Sequence, residues 1–332
     1  MELTFLPYTE EWENRWDELV LHGSVNGTFL QTRHFLNYHP KGRFTDASLL
    51  ILQGSTLIGV IPACEAQEEG KRCFYSHRGS TFGGIILTES KYNISTLEAL
   101  FPRLESYLAH QGYACAFFKP TSAVFSHVSP ELMDYFFYKE GYTVYEELSL
   151  YLDCASLAPD ILASFSSGRR RDTRYAIKNG LVFRALSGDK ELEDFYVLLT
   201  ESLKRHQASP IHTLSELKFF RDTWLKDTVA FYGVFHGDTL IAGTMLFYFG
   251  KDVLHTQYLA QDASYASLFP MNFLNYQLIK LARDEGFRRF SFGISTEERG
   301  TYLNTGLAVF KEGFGTQAAN NRSYFKILQP IE

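Results

Sequence analysis

Three features of the sequence predict an α/β (α+β) fold of two tandem domains, each a mixed central sheet flanked by helices. The chain has 332 residues, beyond the usual size of one domain and suited to two of about 150. A strand hairpin occurs twice, since "LILQGSTLIGVIPA" (50–63) matches "YGVFHGDTLIAGTMLF" (232–247). A helix-to-strand passage also occurs twice, downstream of each hairpin: "LESYLAHQGYACAFFKP" (104–120) parallels "LIKLARDEGFRRFSFGI" (278–294).

Each hairpin turns at a glycine, Gly54 or Gly237, where the chain needs a residue tolerant of positive φ. Each helix stops at Gly112 or Gly286, a C-terminal cap, and an apolar strand follows. A helix that feeds a second strand predicts a parallel pair joined by a crossover, with the antiparallel hairpin beside it. The boundary is expected within "EELSLYLDCASLAPDIL" (146–162), giving domains 1–148 and 149–332. Beyond it, a helical segment closes at Asn179-Gly180. In 189–207, Leu192, Phe195, Tyr196, Leu199 and Leu203 recur at helical spacing. Residues 214–225 and 271–285 read as further helices. "SHRGSTFGG" (76–84) reads as a turn, because it runs into the strand-like "IILT" and opens no helix.

Composition narrows the function classes. Hydrophobic residues make up 45% and charged residues 21%, the balance of a globular chain with a sizeable core. The net charge of −6 disfavours coating of nucleic acid, which needs a broad basic face. Cys64, Cys73, Cys115 and Cys154 show no metal-ligand spacing, so buried, reduced thiols are expected and no metal. The first residues lack a basic stretch followed by an apolar one, and no apolar run approaches the ~20 residues of a membrane span. A cytoplasmic location is expected.

Against this acidic background, Arg169–Lys178 holds five basic residues and one acid. On a helix, Arg170, Arg174 and Lys178 share a stripe at i, i+4, i+8. Arginines in a first turn oppose the helix dipole and repel one another, at a cost of some tenths of a kcal/mol each. Either solvent tolerates that cost or an anion offsets it, since a guanidinium fork suits phosphate or carboxylate.

"DCASLAPDILASFSSGRRRDTRYAIKNGLVFR", "FYVLLTESLKRH", the stretch from "GTMLFYFG" to "FRRFSFG", and "TGLAVFKEGFG" follow one another in an order that resembles the FemAB-like peptidyl and acyl transferases. Those proteins resemble two GNAT (acetyltransferase-type) folds in tandem. The resemblance covers nearly the whole chain. It implies transfer of an acyl or aminoacyl group to an amine or hydroxyl. It also implies an anionic acceptor, small or lipid-linked, such as a cell-envelope precursor, held by Arg170, Arg174 and Lys178. Lys311 matches the family's Phe-Lys element, where its charge would offset a tetrahedral oxyanion.

The donor stays open between acyl-CoA and aminoacyl-tRNA, the latter making tRNA a partner. Only short helices lie between Gly180 and Gly237, so the long helical arm common with tRNA donors does not fit. Ahead of helix 271–285, "DASYASLFPMNF" lacks the glycines of a pyrophosphate turn. In "VLHTQYLA" (253–260), alternation puts His255 and Gln257 on one face and Thr256 and Tyr258 on the other. This strand holds the place where GNAT-type folds open around the acyl donor, so His255 or Tyr258 is a candidate base or acid. Asn304 is a positioning candidate near the acceptor. No Ser/His/Asp order, HExxH or Walker sequence occurs, so direct transfer without a covalent enzyme intermediate is expected. The other reading is a catalytically silent nucleotide- or sugar-binding protein on the same fold.

Overall fold

The computed structural model describes residues 2–205 and 207–329. The chain forms two compact units: residues up to 147 with 298–300 and the segment from 320 on, and residues 148–297 with 301–319.

In the first unit, β1 (Thr4–Pro7) precedes α1 (Glu13–Glu18) and the short α2 (Arg33–Leu36). The expected hairpin is β2 (Leu49–Gln53) and β3 (Thr56–Ile61), turning at Gly54 with φ +58°. β4 (Cys64–Glu68) and β5 (Lys71–Ser76) form a second hairpin, and β6 (Ile86–Leu87) leads to α3 (Ile94–His110) and β7 (Cys115–Phe118). β5 and β7 pair in parallel, joined through α3 as the repeat requires. The mixed sheet expected from the sequence holds β4, β5 and β7, and the unit adds a second sheet to it. β1, β2, β3 and β6 form an antiparallel four-stranded sheet, whereas β4, β5 and β7 belong to a different one. The break falls at Pro62, which has no N–H to give the ladder. Ser48 takes up the loose backbone there: its Oγ accepts from Ala63 N at 3.0 Å and donates to Ala63 O at 3.2 Å.

Helix α3 is held by its apolar stripe. Leu97, Leu100, Phe101, Leu104 and Leu108 are fully buried, each contributing about 1.5–3 kcal/mol. Asn93 Oδ1 accepts from Thr96 N and opens the helix. Gly112, at φ +78°, closes it while Tyr113 N donates to Leu108 O. α4 (Glu131–Lys139) then leads into β8 (Thr143–Asp153), along which the division between units falls.

The second unit takes the later half of β8, and its first α-helix is α5 (Ser167–Lys178), capped by Ser166 and closed at Gly180 with φ +69°. There follow β9 (Val182–Ala185), α6 (Asp189–Lys204), α7 (Leu214–Phe219), β10 (Val229–His236) and β11 (Thr239–Phe249). β10 and β11 are the second hairpin, turning at Gly237 with φ +59°. β12 (Val253–Gln261), α8 (Pro270–Asp284) and β13 (Arg289–Ile294) complete the repeat, and β12 pairs with β13 in parallel. The sheet order is β8-β13-β12-β11-β10-β9. On β11, Ala242 and Leu246 join Leu274 and Leu278 of α8 in one core, while Gly243 faces Phe195 of α6. Alternation along a strand therefore puts the two helices on opposite faces. A small hairpin, β14 (Thr296–Glu297) with β15 (Tyr302–Leu303), leads to α9 (Thr305–Glu312).

The last strand, β16 (Gln317–Ile327), departs from the domain limits expected from sequence. Its later half returns to the first unit, where Tyr324 to Ile327 pair antiparallel with Phe118 to Cys115 of β7. Backbone pairing between strands some two hundred residues apart leaves no local trace in either segment. All four cysteines are buried and unbridged. Among the described residues, no helix is long and apolar enough to cross a membrane.

Candidate active site

In the second unit the parallel pair β12–β13 opens partway along. Its ladder runs through Val253↔Arg289, Leu254↔Phe290 and His255↔Ser291, then stops, although β12 continues to Gln261 and β13 to Ile294. Two irregularities accompany the opening. Between β11 and β12 the register slips, Met245 facing Tyr258 and Leu246 facing Thr256, so Gln257 is an extra residue. Between β13 and β8 it slips between Ser291 and Gly293, and Gly293 has φ +70°. Bulges of this kind bend a strand and re-aim its side chains.

Lys311 reaches this opening from α9. The residue is 3% exposed, and Nζ donates to Ile294 O at 2.6 Å and Gly293 O at 3.2 Å. Those carbonyls lie on β13 beyond its last pair with β12. Loss of hydration pulls the Lys311 ammonium down from 10.5 to about 7. An ammonium has three donors, and two carbonyls leave one for a third acceptor. His255 stands nearby: its Nδ1 lies 3.1 Å from Ser291 Oγ, and a Cβ on Gly293 would come within 3.2 Å of its ring. Burial, and secondarily the charge of Lys311, lower His255 to about 4. At neutral pH the ring is uncharged and able to accept a proton.

The bulge corrects the expected placement of Tyr258. Strict alternation put it on the face opposite His255. Cross-strand partners share a face, however, and Met245 and Phe247, the partners of Tyr258 and His255, are two residues apart on β11. The extra residue Gln257 therefore brings Tyr258 onto the His255 face, the side covered by α6. Its hydroxyl lies 2.8 Å from His212 Nδ1, and burial pushes the phenol up to about 12. His212, only 7% exposed, sits edge-on to Phe220 in the segment before α7.

Other sequence candidates fall into different roles. Asn304 is the N-cap of α9: its Oδ1 accepts from Leu307 N at 3.1 Å, and its Nδ2 donates to Glu297 at 3.2 Å. Its visible task is to start the helix that carries Lys311. The basic stripe of α5 is not gathered into one pocket. Arg170 donates to the carbonyls of Leu162, Ala163 and Phe165, at 2.9, 3.1 and 2.9 Å, and so fastens α5 to the turn before it. Helical phase alone could not show this, because the acceptors precede the helix. Arg174 and Lys178 are exposed. Arg171 pairs with Asp172.

Arg169, which sequence reasoning passed over, points inward. Nη1 donates to Asn272 Oδ1 at 2.9 Å, and the guanidinium lies over the rings of Phe310 and Phe314, at 4.2 and 5.2 Å. It ties α5 to the first turn of α8 and to α9. That first turn starts from Phe269 in the left-handed region at φ +54°, followed by Pro270. His212, Ser291 and Gly293 were also missed. Of these only Gly293 left a signal, a lone glycine inside an apolar strand, which often marks a bulge.

A family model described as an acetyltransferase (GNAT) domain matches residues 164–302. No curated protein matches the sequence. Among solved structures, FemX is 14% identical with a TM-score of 0.70, covering 98% of this chain and 97% of its own. The C-terminal domain of a putative lysylphosphatidylglycerol synthetase from Agrobacterium fabrum is 14% identical with a TM-score of 0.54, covering 80% of each chain. A tandem GNAT protein from the clavulanic acid biosynthesis pathway is 12% identical with a TM-score of 0.55, covering 100% of each. At these identities the structures speak to fold, and the family match to the domain. Residues 164–302 match a GNAT domain, and the fold of the chain is that of FemX and of the tandem GNAT protein, two GNAT-type domains in series.

Proposed function

We propose that the chain transfers an acyl or aminoacyl group to an amine or hydroxyl of an anionic acceptor by direct attack, in the opening between β12 and β13. The observation that carries this reading is the meeting there of a buried ammonium and an uncharged imidazole, Lys311 and His255, beside strands that part company.

In the proposed reaction the acceptor nitrogen or oxygen bonds to the acyl carbonyl carbon, and the carbonyl electron pair moves onto its oxygen. The remaining N–H of the Lys311 ammonium stabilises that oxyanion. Collapse reforms the carbonyl and expels the donor's sulfur or oxygen with its bonding pair. His255 takes the proton the nucleophile loses, and Tyr258, held by His212, supplies one to the leaving group. Arg174 and Lys178, exposed on α5, are the cations offered to the acceptor, and Arg170 drops from that role because its Nε and Nη2 are given to three backbone carbonyls. The name of the lysylphosphatidylglycerol synthetase joins an aminoacyl group to a phosphate-bearing lipid, which supports an anionic cell-envelope acceptor. Both donor classes are cytosolic, in keeping with a cytoplasmic site of action.

The donor is tested by thermal unfolding of the purified protein with CoA, acetyl-CoA, longer acyl-CoAs and charged tRNA. Ligand that binds the folded state raises the midpoint by mass action. A rise with one acyl-CoA identifies a thioester donor; a rise with charged tRNA alone identifies an aminoacyl donor. No rise with any donor, together with no acyl transfer to amine or hydroxyl acceptors, would refute the transferase reading of this site.

A further inference from the structure

The first unit holds a cleft of about 480 Å³ that the transfer chemistry does not use, built entirely from first-unit residues. Its wall is one face of α4: Glu131, Asp134, Tyr135 and Tyr138 stand at i, i+3, i+4 and i+7. Val144 and Glu146 alternate on β8, and Arg322 and Tyr324 on β16, so each pair presents one side of its strand.

The floor is fixed by bonding. Arg322 donates to Asp134 at 2.6 Å and to Glu146 at 3.0 Å, and the Tyr324 hydroxyl donates to the other Asp134 oxygen at 2.6 Å. The rim is different. Tyr135 and Tyr138 are 56% and 73% exposed, although the buried neighbours Phe136 and Phe137 show that α4 has ample core for its aromatic residues. Glu131, at the start of α4, is exposed and enters no ion pair among the described residues. Three carboxylates face one guanidinium, leaving the cleft negative. Volume in this range suits a small ligand or a single side chain. Tyrosine faces attract cations, and excess carboxylate supplies the matching charge.

We infer that this cleft is a second binding site, which takes an organic ammonium group against Tyr135 and Tyr138 with Glu131 and Glu146 as counter-charges. The shared chemistry is an alkylammonium, carried either by a free amine or by the lysine side chain of a peptide.

The test is amide NMR of the full chain at low salt, titrated with three probes. These are 1,5-diaminopentane, a capped lysine peptide, and the same peptide with its lysine Nε-acetylated. The expected result is saturable shifts in residues 131–146 with at least one charged probe and none with the acetylated peptide. Response to the diamine alone, or to the peptide alone, identifies the source. Glu131→Gln should weaken binding about fivefold, as loss of one exposed charge does. Tyr138→Ala should weaken it by a similar factor. Both positions are exposed, so the fold is retained, which the rest of the spectrum reports. Absent shifts, equal shifts with the acetylated peptide, or unchanged affinity in both variants would overturn the inference. None of these readouts depends on acyl transfer.

Discussion

Replacing Lys311 with methionine tests the central residue of the site without knowledge of the substrate. Folding moves this ammonium from 10.5 to about 7 by stripping its water. At about 1.4 kcal/mol for each pH unit, holding the charge buried costs roughly 5 kcal/mol below pH 7. That figure is a net one, with the hydrogen bonds to Gly293 O and Ile294 O already in place. Methionine removes the buried charge and strands those two carbonyls, at about 1–3 kcal/mol each. The variant should therefore lie between about 1 kcal/mol less stable and about 3 kcal/mol more stable than the native protein near pH 6.

The pH dependence is the sharper signal. Between pH 7 and 10.5 the unfolded chain binds a proton that the folded chain lacks, so native stability rises with pH across this window. Lys311→Met has no such proton. Denaturant unfolding at half-unit steps from pH 6 to 9.5 should show the native protein gaining on the variant by about 1.4 kcal/mol per pH unit above pH 7.5. Parallel curves over that range would refute the buried, depressed ammonium, and with it the reasoning that makes Lys311 a titrating catalytic group.

Further outcomes follow from the same geometry. With a substrate in hand, kcat/KM should fall at high pH through about 7 as Lys311 loses its proton, and at low pH through about 4 as His255 gains one. Lys311→Met should abolish the alkaline limb, and His255→Gln should lower kcat by about 10²–10⁴. Arg170→Ala should cost about 1–3 kcal/mol in denaturant unfolding, because three carbonyls lose their donor. Arg174→Ala should leave stability within about 0.5 kcal/mol and weaken acceptor binding instead. Equal losses of stability in the two variants would contradict the separate roles assigned to them.

Much of the fold was legible because its signals are local. Gly54, Gly237, Gly112 and Gly286 each sit at positive φ where a turn or cap needs one. The apolar stripe of α3 and the cap at Gly180 reflect the same short-range rules of period and backbone freedom. Two parallel pairs fed by helices followed from the duplication. The site was legible only as residue types. Lys311 and His255 were named from a resemblance and a strand position, but nothing nearby in sequence says that β12 and β13 separate after His255 and Ser291.

What the sequence alone determined, then, is whatever neighbouring residues decide: helices, turns, their order, and the repeat that makes two units. Tertiary structure decided the rest, because those features are settled between segments far apart in the chain. One extra residue, Gln257, has meaning only against its partner strand β11, and there it turns Tyr258 to the face of His255. Arg169 and Arg170 are adjacent and chemically identical, yet one reaches Asn272 on α8 and the other the carbonyls before α5. The late half of β16 pairs with β7 through backbone hydrogen bonds, which carry no mark in the side chains of either segment. Lys311 became a group titrating near neutrality because folding removed its water, and no property of the sequence around it records that loss.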